Sequence, residues 1–349
     1  MVYQNTHNPP GIGLSKILRW KLGFGPLEPS RPALTGVAGP PPVRHAPNWA
    51  AIRQPDPGII QVTWIGHSTF LLQYQGRNLL TDPIFGNCLT PIPGFSLKRE
   101  SPPGLALPEL PPIDDVLISH NHYDHLDAPT IKHLASVSAR TRFWVPSGLG
   151  KWFRDKKIVP VQELAWGTSV KLGVSQELHG VPAQHFSARG PFDRNRTHWC
   201  GWVLRMGEKT IYYAGDTGYN PDFRDLGRRF GGMDLSLIPI GAYNPRWIMQ
   251  SVHTDPFEAV KIHEDVRSRF SIGCHWGTFR LTDEPLNEPP ALLNYALTER
   301  GLSARDFCVV APGQTIALKT AGDASFPLLP PPGGGKMPTA SAAAGGLEP

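Results

Sequence analysis

The chain has 349 residues, with 34 Lys and Arg against 29 Asp and Glu, a formal net charge of +5, and 40% apolar residues. Pro (38) and Gly (36) make up about a fifth of it, against a usual share of roughly 12%, yet 10 Trp and 15 Phe exceed what a disordered chain carries. The length suits one large domain or two small ones; no apolar run approaches the roughly 18–20 residues that span a bilayer, and so modest a charge surplus, without a long Lys/Arg run, argues against a nucleic-acid partner.

The four cysteines, Cys88, Cys200, Cys274 and Cys308, are widely spaced. That spacing fits a reducing compartment better than a disulfide scaffold. No basic start followed by an apolar stretch marks a signal peptide, so the expected location is cytoplasmic.

Residues 1–43 are Pro-rich and contain one distinctive segment, 13–24. There Leu14, Ile17, Leu18 and Leu22 fall at helical spacing among Lys16, Arg19 and Lys21, with Trp20 beside them. Such a segment predicts a short amphipathic helix that lies on an anionic membrane surface or packs on the body of the protein. From residue 59 the pattern becomes regular. Strands are expected at 59–65, 69–74, 78–81, 116–119, 143–145, 176–181, 199–206, 210–214, 235–239, 270–273, 307–310 and 315–318. Helices are expected at 128–136, 256–267 and 289–300. The second of these has Asp255 as its cap, Pro256 at the first helical position and Glu258 three residues past the cap. Paired strand runs interleaved with helices indicate an α/β fold with two mixed sheets. Residues 44–319 form the expected catalytic domain, and 320–349, with Pro330-Pro331-Pro332-Gly333-Gly334-Gly335, read as a disordered tail.

The strongest local signal is Ser119-His120-Asn121-His122-Tyr123-Asp124-His125-Leu126-Asp127, directly after an apolar strand. In a tight loop alternate residues face one side, so His120 and His122 can bind one ion while Asp124 and His125 turn toward a second. Neutral imidazole and carboxylate are ligands that zinc and iron accept. Four such groups in six residues would otherwise be a costly concentration of polarity at a strand end. His185, Asp216 and His275 follow later strands, the last two beside glycines that let the backbone approach an ion. His253 is the best spare group for moving a proton or holding an anion. His67 and Asp82 suit the orientation of ligands, and Tyr123, Lys98 and Arg99 suit substrate contact.

His-x-His-x-Asp-His, then a His, an Asp in Gly-Asp-Thr and a late His together resemble the metallo-β-lactamase superfamily. The resemblance implies an αββα sandwich with two mixed β-sheets flanked by helices. It implies that two divalent ions, zinc best, sit at the edge of the sheets. His120, His122 and His185 would hold one, Asp124, His125 and His275 the other, with Asp216 bridging. Further segments narrow it: Trp-Ile-Gly-His-Ser-Thr (64–69), Thr-Asp-Pro-Ile-Phe (81–85), Asn-Arg-Thr-His-Trp-Cys-Gly-Trp-Val (195–203), Ile-Pro-Ile-Gly-Ala-Tyr-Asn-Pro-Arg-Trp (238–247) and His-Thr-Asp-Pro-Phe-Glu-Ala (253–259). These are similar to the N-acylphosphatidylethanolamine-hydrolysing phospholipases D and their bacterial relatives, over about residues 44–318.

That likeness implies metal-dependent hydrolysis of a phospholipid to an N-acylethanolamide and phosphatidic acid. Asp124 and Asp216 would orient the attacking water, and His253 would protonate the leaving oxygen or hold the phosphate. The protein would be a peripheral membrane enzyme and a homodimer. The alternative expectation is a soluble metallo-hydrolase of the same fold, a lactonase or general phosphodiesterase.

Overall fold

Alternation along the first strands sorts their side chains to two faces. The computed structural model describes residues 2–7, 12–26, 39–89 and 96–318. In β1 (Ile60–Gly66) and β2 (Thr69–Tyr74), Val62, Trp64, Phe70 and Leu72 join one buried cluster, and Ile65 and Leu71 join another. This sheet is therefore covered on both faces, which is why its strands read as nearly continuous apolar runs.

The first sheet continues with β3 (Arg77–Thr81), β4 (Asp115–Leu117), β5 (Arg142–Pro146) and β6 (Val161–Leu164). The second is built from β7 (Ser169–Gly173), β8 (Gln176–Val181), β9 (Gly201–Met206), β10 (Lys209–Tyr213), β11 (Leu235–Pro239), β12 (Ser271–Cys274) and β13 (Phe307–Cys308). The last strand, β14 (Thr315–Leu318), returns to pair antiparallel with β1. Among the described residues each sheet has seven strands, in the orders β14-β1-β2-β3-β4-β5-β6 and β13-β12-β11-β10-β9-β8-β7. Each sheet begins as an antiparallel meander and becomes parallel, from β3 to β6 and from β10 to β13.

Parallel neighbours need crossovers, and these supply the outer helices. α1 (Leu14–Lys21) and α2 (Trp49–Arg53) precede the sheets; α3 (Ala128–Val137) and α4 (Gly150–Asp155) cover the first. α5 (Asp222–Phe230), α6 (Arg246–Met249), α7 (Pro256–Asp265) and α8 (Glu288–Glu299) follow β10, β11 and β12. The architecture is the expected αββα sandwich. The main core fills the space between the sheets, with Trp64, Trp202, Leu204, Tyr212 and Leu237, and extends to Val260 and Leu293 of α7 and α8. The predicted α7 cap is present: Asp255 accepts from the Glu258 N–H at 3.0 Å, and Glu258 reaches back to the Asp255 N–H.

Two strands and four helices were not expected. β6 and β7 are edge strands, and the exposed Gln162 and Glu163 in β6 hide its period. α5 carries Gly227, which looks like a helix breaker. A Cβ there would lie 2.3 Å from the Asp265 carbonyl of α7, so glycine permits the close crossing of the two helices. α1 matches the predicted amphipathic segment: Ile17 and Trp20 pack against Ile12, Ile248, Met249 and Val252, while Leu18, Leu22 and Phe24 are exposed. The tail expected at 320–349 lies outside the described residues.

Leu204→Ala, between the sheets, should cost about 2–5 kcal/mol. Val174→Ala, at the exposed tip between β7 and β8, should change stability by less than about 0.5 kcal/mol. Urea unfolding of both variants checks the contrast.

Candidate metal centre

β8, β10, β11 and β12 run in the same direction, so the segments leaving their C-terminal ends emerge at one edge of the second sheet. In open α/β sheets this is the edge where ligands bind. His185, Asp216, His253 and His275 all lie on those segments, and β4 delivers His120 to His125 against them. Gly215 makes the close approach possible. It has a left-handed φ of 62°, and a Cβ there would come within 2.7 Å of the Ser119 side chain.

Four overlapping groups of ligand atoms result among the described residues, each gathered within 4.8 Å: His120, His122 and His185, then His67, Asp124, His125 and His275, correspond to the two expected ions, while Asp82, His120 and His125, and His185, Asp216 and His253, overlap them. In the first, His120 Nε2 lies 2.7 Å from His122 Nδ1, and His185 Nε2 lies 3.2 Å from the same nitrogen. In the second, Asp124 Oδ2 is 3.3 Å from His125 Nε2 and 3.5 Å from His275 Nε2. Asp216 stands between the groups. Its Oδ2 is 3.1 Å from both His125 Nε2 and His275 Nε2, 3.8 Å from His185 Nε2 and 3.9 Å from His120 Nε2.

These donors suit divalent ions. His125 Nε2, His275 Nε2 and Asp216 Oδ1 are buried with no hydrogen-bond partner among the described residues. Buried polar atoms without partners are costly, and a cation satisfies them together. The protonation pattern agrees. Burial, followed by the neighbouring His185, pushes His122 down to about 3. Burial also holds His185 at about 4, against the pull of Asp216. These rings are neutral, as ligands must be. At His275 burial is outweighed by the nearby carboxylates of Asp216 and Asp124, which raise it to about 9. His125 is likewise raised, by Asp216 and then Asp124, against burial. Without an ion, protons on these two rings balance the two carboxylates. A divalent cation can replace them.

Residues 77–276 match the family described as Beta-lactamase superfamily domain. The chain belongs to the metallo-β-lactamase superfamily. It is 40% identical over 237 residues to N-acyl-phosphatidylethanolamine-hydrolyzing phospholipase D 1 of Caenorhabditis elegans, covering 65% of this chain and 67% of that protein. It is 34% identical over 253 residues to the mitochondrial N-acyl-phosphatidylethanolamine-hydrolyzing phospholipase D of Saccharomyces cerevisiae, covering 70% of this chain and 53% of that protein. The solved structure of isothiocyanate hydrolase from Delia radicum gut bacteria matches with a TM-score of 0.60 at 18% identity, over 74% of this chain and 99% of that one. The last similarity shows the fold. With clusters suited to two ions, this superfamily member is a metal-dependent hydrolase.

Groups behind metal ligands orient them and tune the bound ion. Asp82, fully buried, accepts from His125 Nδ1 at 2.6 Å, from the Ser119 N–H at 2.6 Å, and from the Ser119 and Tyr213 hydroxyls. Ser119 Oγ in turn meets His120 Nδ1 at 2.9 Å. One carboxylate thus orients a histidine of each group. His67 Nε2 lies 3.0 Å from Asp124 Oδ2, and the His67 carbonyl accepts from the His275 N–H at 3.0 Å. His67, Asp82 and His275 have left-handed φ values of 53°, 32° and 61°, a conformation that costs a non-glycine residue about 1–3 kcal/mol. The strain sits where ligand geometry is set.

His253 approaches Asp216, Nδ1 to Oδ2 at 3.9 Å, and burial, opposed by Asp216, keeps its ring neutral. Tyr123 is turned away from the ligands. Its hydroxyl donates to the Arg189 carbonyl, and its ring lies under the Arg189 guanidinium. Arg99 donates Nη2 and Nε to the carbonyls of Ile84 and Gly86 and stacks on Phe279, while its buried Nη1 has no hydrogen-bond partner among the described residues. Lys98 is exposed, with its main chain bridging to Cys88, and belongs to neither ligand group.

Sequence reasoning missed Gln184 and Arg189. Gln184 joins the loops that carry His185, Asp216 and His253. Its N–H donates to Thr217 Oγ1, its carbonyl accepts from Gly218, and its side chain donates to the carbonyls of Tyr219 and Ser251. Arg189 Nη1 donates to the carbonyls of Asn121 and Leu126, bracing the histidine loop. Nothing in their spacing marks either residue.

Elemental analysis should find about two ions per chain, and removing them with a chelator should lower the melting temperature until zinc is restored. Asp82→Asn should weaken metal binding by about 10–100-fold, measured by competition with a chelating dye.

Proposed function

We propose that this protein hydrolyses a lipid phosphodiester, N-acylphosphatidylethanolamine, releasing an N-acylethanolamide and phosphatidic acid. Metal-dependent hydrolysis is the broader statement; the choice of substrate is the proposal. The observation that carries it is an apolar cluster set against the metal-binding histidines. Ile12, Ile248, Met249 and Val252 pack with Ile17, Trp20, Phe186 and Trp247. The Phe186 ring centroid lies 4.5 Å from that of His122 and 4.9 Å from that of His185. Ile12, Ile248, Met249 and Val252 are themselves buried, but the partly buried Phe186 and Trp247 leave apolar surface beside the histidines, which suits a substrate with acyl chains next to its scissile bond. The names of the two phospholipase relatives point the same way.

His120, His122 and His185 would hold one divalent ion and Asp124, His125 and His275 a second, with Asp216 near both; ions bound there, zinc by the character of the donors, would supply Lewis-acid stabilisation and an activated water. The chain's own groups do the rest. Asp124 and Asp216 orient the attacking water. An O–P bond forms as the P–O bond to the ethanolamide breaks, and the departing alkoxide takes a proton. His253, open on one side and facing Asp216, hydrogen-bonds a phosphoryl oxygen or passes that proton. Lys98, at the surface, can meet the head group.

Access to lipid would come through α1. Its exposed Leu18, with the exposed Leu22 and Phe24 just past its C-terminal end, stands among Lys16, Arg19 and Lys21 with no acidic residue in the helix, a composition that favours an anionic surface. No helix among the described residues is long and apolar enough to cross a membrane. A homodimer at the cytoplasmic face of a membrane, with no nucleic-acid partner, completes the proposal.

A second reading, a lactonase or general phosphodiesterase on the same site, follows from the metal clusters and the fold without reference to lipid. Assays on vesicles of N-acylphosphatidylethanolamine and on soluble bis(4-nitrophenyl) phosphate and lactones separate the two. Release of acylethanolamide, abolished by chelation, is expected; turnover of soluble substrates alone would overturn the lipid reading. His253→Ala should lower kcat by about 10²–10⁴-fold with metal content unchanged. Leu18→Glu with Leu22→Glu should abolish co-sedimentation with phosphatidylglycerol vesicles and leave turnover of a soluble phosphodiester intact.

A further inference from the structure

Asn5 lies 180 positions from His185 in sequence, yet it pairs with both main-chain groups of that residue. Its Nδ2 donates to the His185 carbonyl at 3.0 Å, and its Oδ1 accepts from the His185 N–H at 3.0 Å. The same oxygen accepts from Trp199 Nε1 at 3.0 Å, an indole that also donates to the Ala183 carbonyl at 3.0 Å. His185 comes after the end of β8, where no neighbouring strand supplies partners for its N–H and C=O. Asn5 takes the place of that missing strand. A primary amide is suited to this because it offers a donor and an acceptor in one plane; a carboxylate offers acceptors alone.

The contacts on either side show that Asn5 is anchored. The Tyr3 N–H donates to the Asn195 carbonyl at 2.8 Å, and the Tyr3 ring meets His198 edge-on at 4.5 Å. Asn195 in turn donates to the Ser187 carbonyl at 2.8 Å. His7 Nε2 lies 2.9 Å from Asp222 Oδ1 at the start of α5. Further along, Ile12, Ile17 and Trp20 pack on Val252 and its neighbours, and the Val252 carbonyl meets His185 Nδ1 at 2.9 Å. The N-terminal residues therefore hold the main chain of His185 and also pack on the segment that receives its ring.

We infer that the N-terminal arm, residues 2–7 with α1, is a built part of the metal centre, and that Asn5 is a positioning residue for His185. The inference rests on the assignment of His185 to the first metal group. It gives the arm a role separate from lipid contact: it fixes the direction of one ligand in the group that holds His120 and His122.

The test is zinc titration of the metal-free full-length chain and its Asn5→Ala variant, each against a competing chelator, with cobalt absorption as a second readout. The unaltered chain should bind two ions. In Asn5→Ala one of them should bind about 10–100-fold more weakly, the range for groups that orient ligands, with the other unchanged and the cobalt spectrum altered for one ion. The metal-free variant should melt close to the unaltered protein. Should Asn5→Ala fold poorly, Asn5→Asp keeps the acceptor and loses the donor, and should give the same selective weakening. Equal binding of both ions, or parallel weakening of both in step with a lower melting temperature of the metal-free protein, would overturn the assignment to Asn5. An unaltered chain that binds no ion would overturn the metal reading and the inference together.

Discussion

A single carboxylate oxygen, Oδ2 of Asp216, lies between 3.1 and 3.9 Å from nitrogens of His120, His125, His185, His253 and His275. Such a concentration of titratable groups, almost wholly buried, has no stable arrangement unless positive charge is shared among them. Protons can supply that charge on His125 and His275. Divalent ions supply it while leaving the first group of histidines neutral. The fold around this cluster can be understood as what is needed to hold mutually repelling, poorly solvated groups in place.

That holding is done from behind. Asp82 ties the histidine loop to β10 through Tyr213 and orients His125, with Ser119 relaying the same constraint to His120. Gln184 ties the loops of His185, Asp216 and His253. Arg246 donates to the His253 carbonyl and pairs with Glu258 in the first turn of α7. The buried Glu284 accepts from the N–H groups of Ala242, Tyr243 and Asn244. Two of the segments that narrow the resemblance, Tyr-Asn-Pro-Arg-Trp and His-Thr-Asp-Pro, thus serve as braces. Their conformation keeps His253 beside Asp216.

One side of the centre is apolar and one side is charged. Phe186 and the cluster around Ile248 abut the first histidine group, and α1 carries that apolar surface outward to Leu18, Leu22 and Phe24. Under the proposed function, that asymmetry would separate two tasks, contact with a hydrophobic substrate and stabilisation of developing charge, on adjacent walls. Residues 2–7 and 12–25, which contain no proline, reach the His185 and His253 segments through hydrogen bonds and apolar packing.

The ligand types and the sheet were legible in the chain because both depend on local pattern. His120, His122, Asp124 and His125 are adjacent, and a strand end followed by alternating ligands has few other uses. β1, β2, β8 and β11 are apolar runs bounded by turns. Edge strands β6 and β7 were not legible, because a half-exposed strand loses the contrast that marks it, and α5 was obscured by a glycine whose reason lies in α7. The sequence by itself determined the α/β class, the αββα resemblance and the seven metal-ligand candidates. Only the tertiary structure decided that Asp82 reaches both groups through His125 and Ser119, that Gln184 ties the loops of His185, Asp216 and His253, that Arg99 donates to main-chain carbonyls, and that Asn5 grips His185. Those contacts join residues up to 180 positions apart, and they are fixed by how the two sheets and the arm pack, for which spacing along the chain carries no signal.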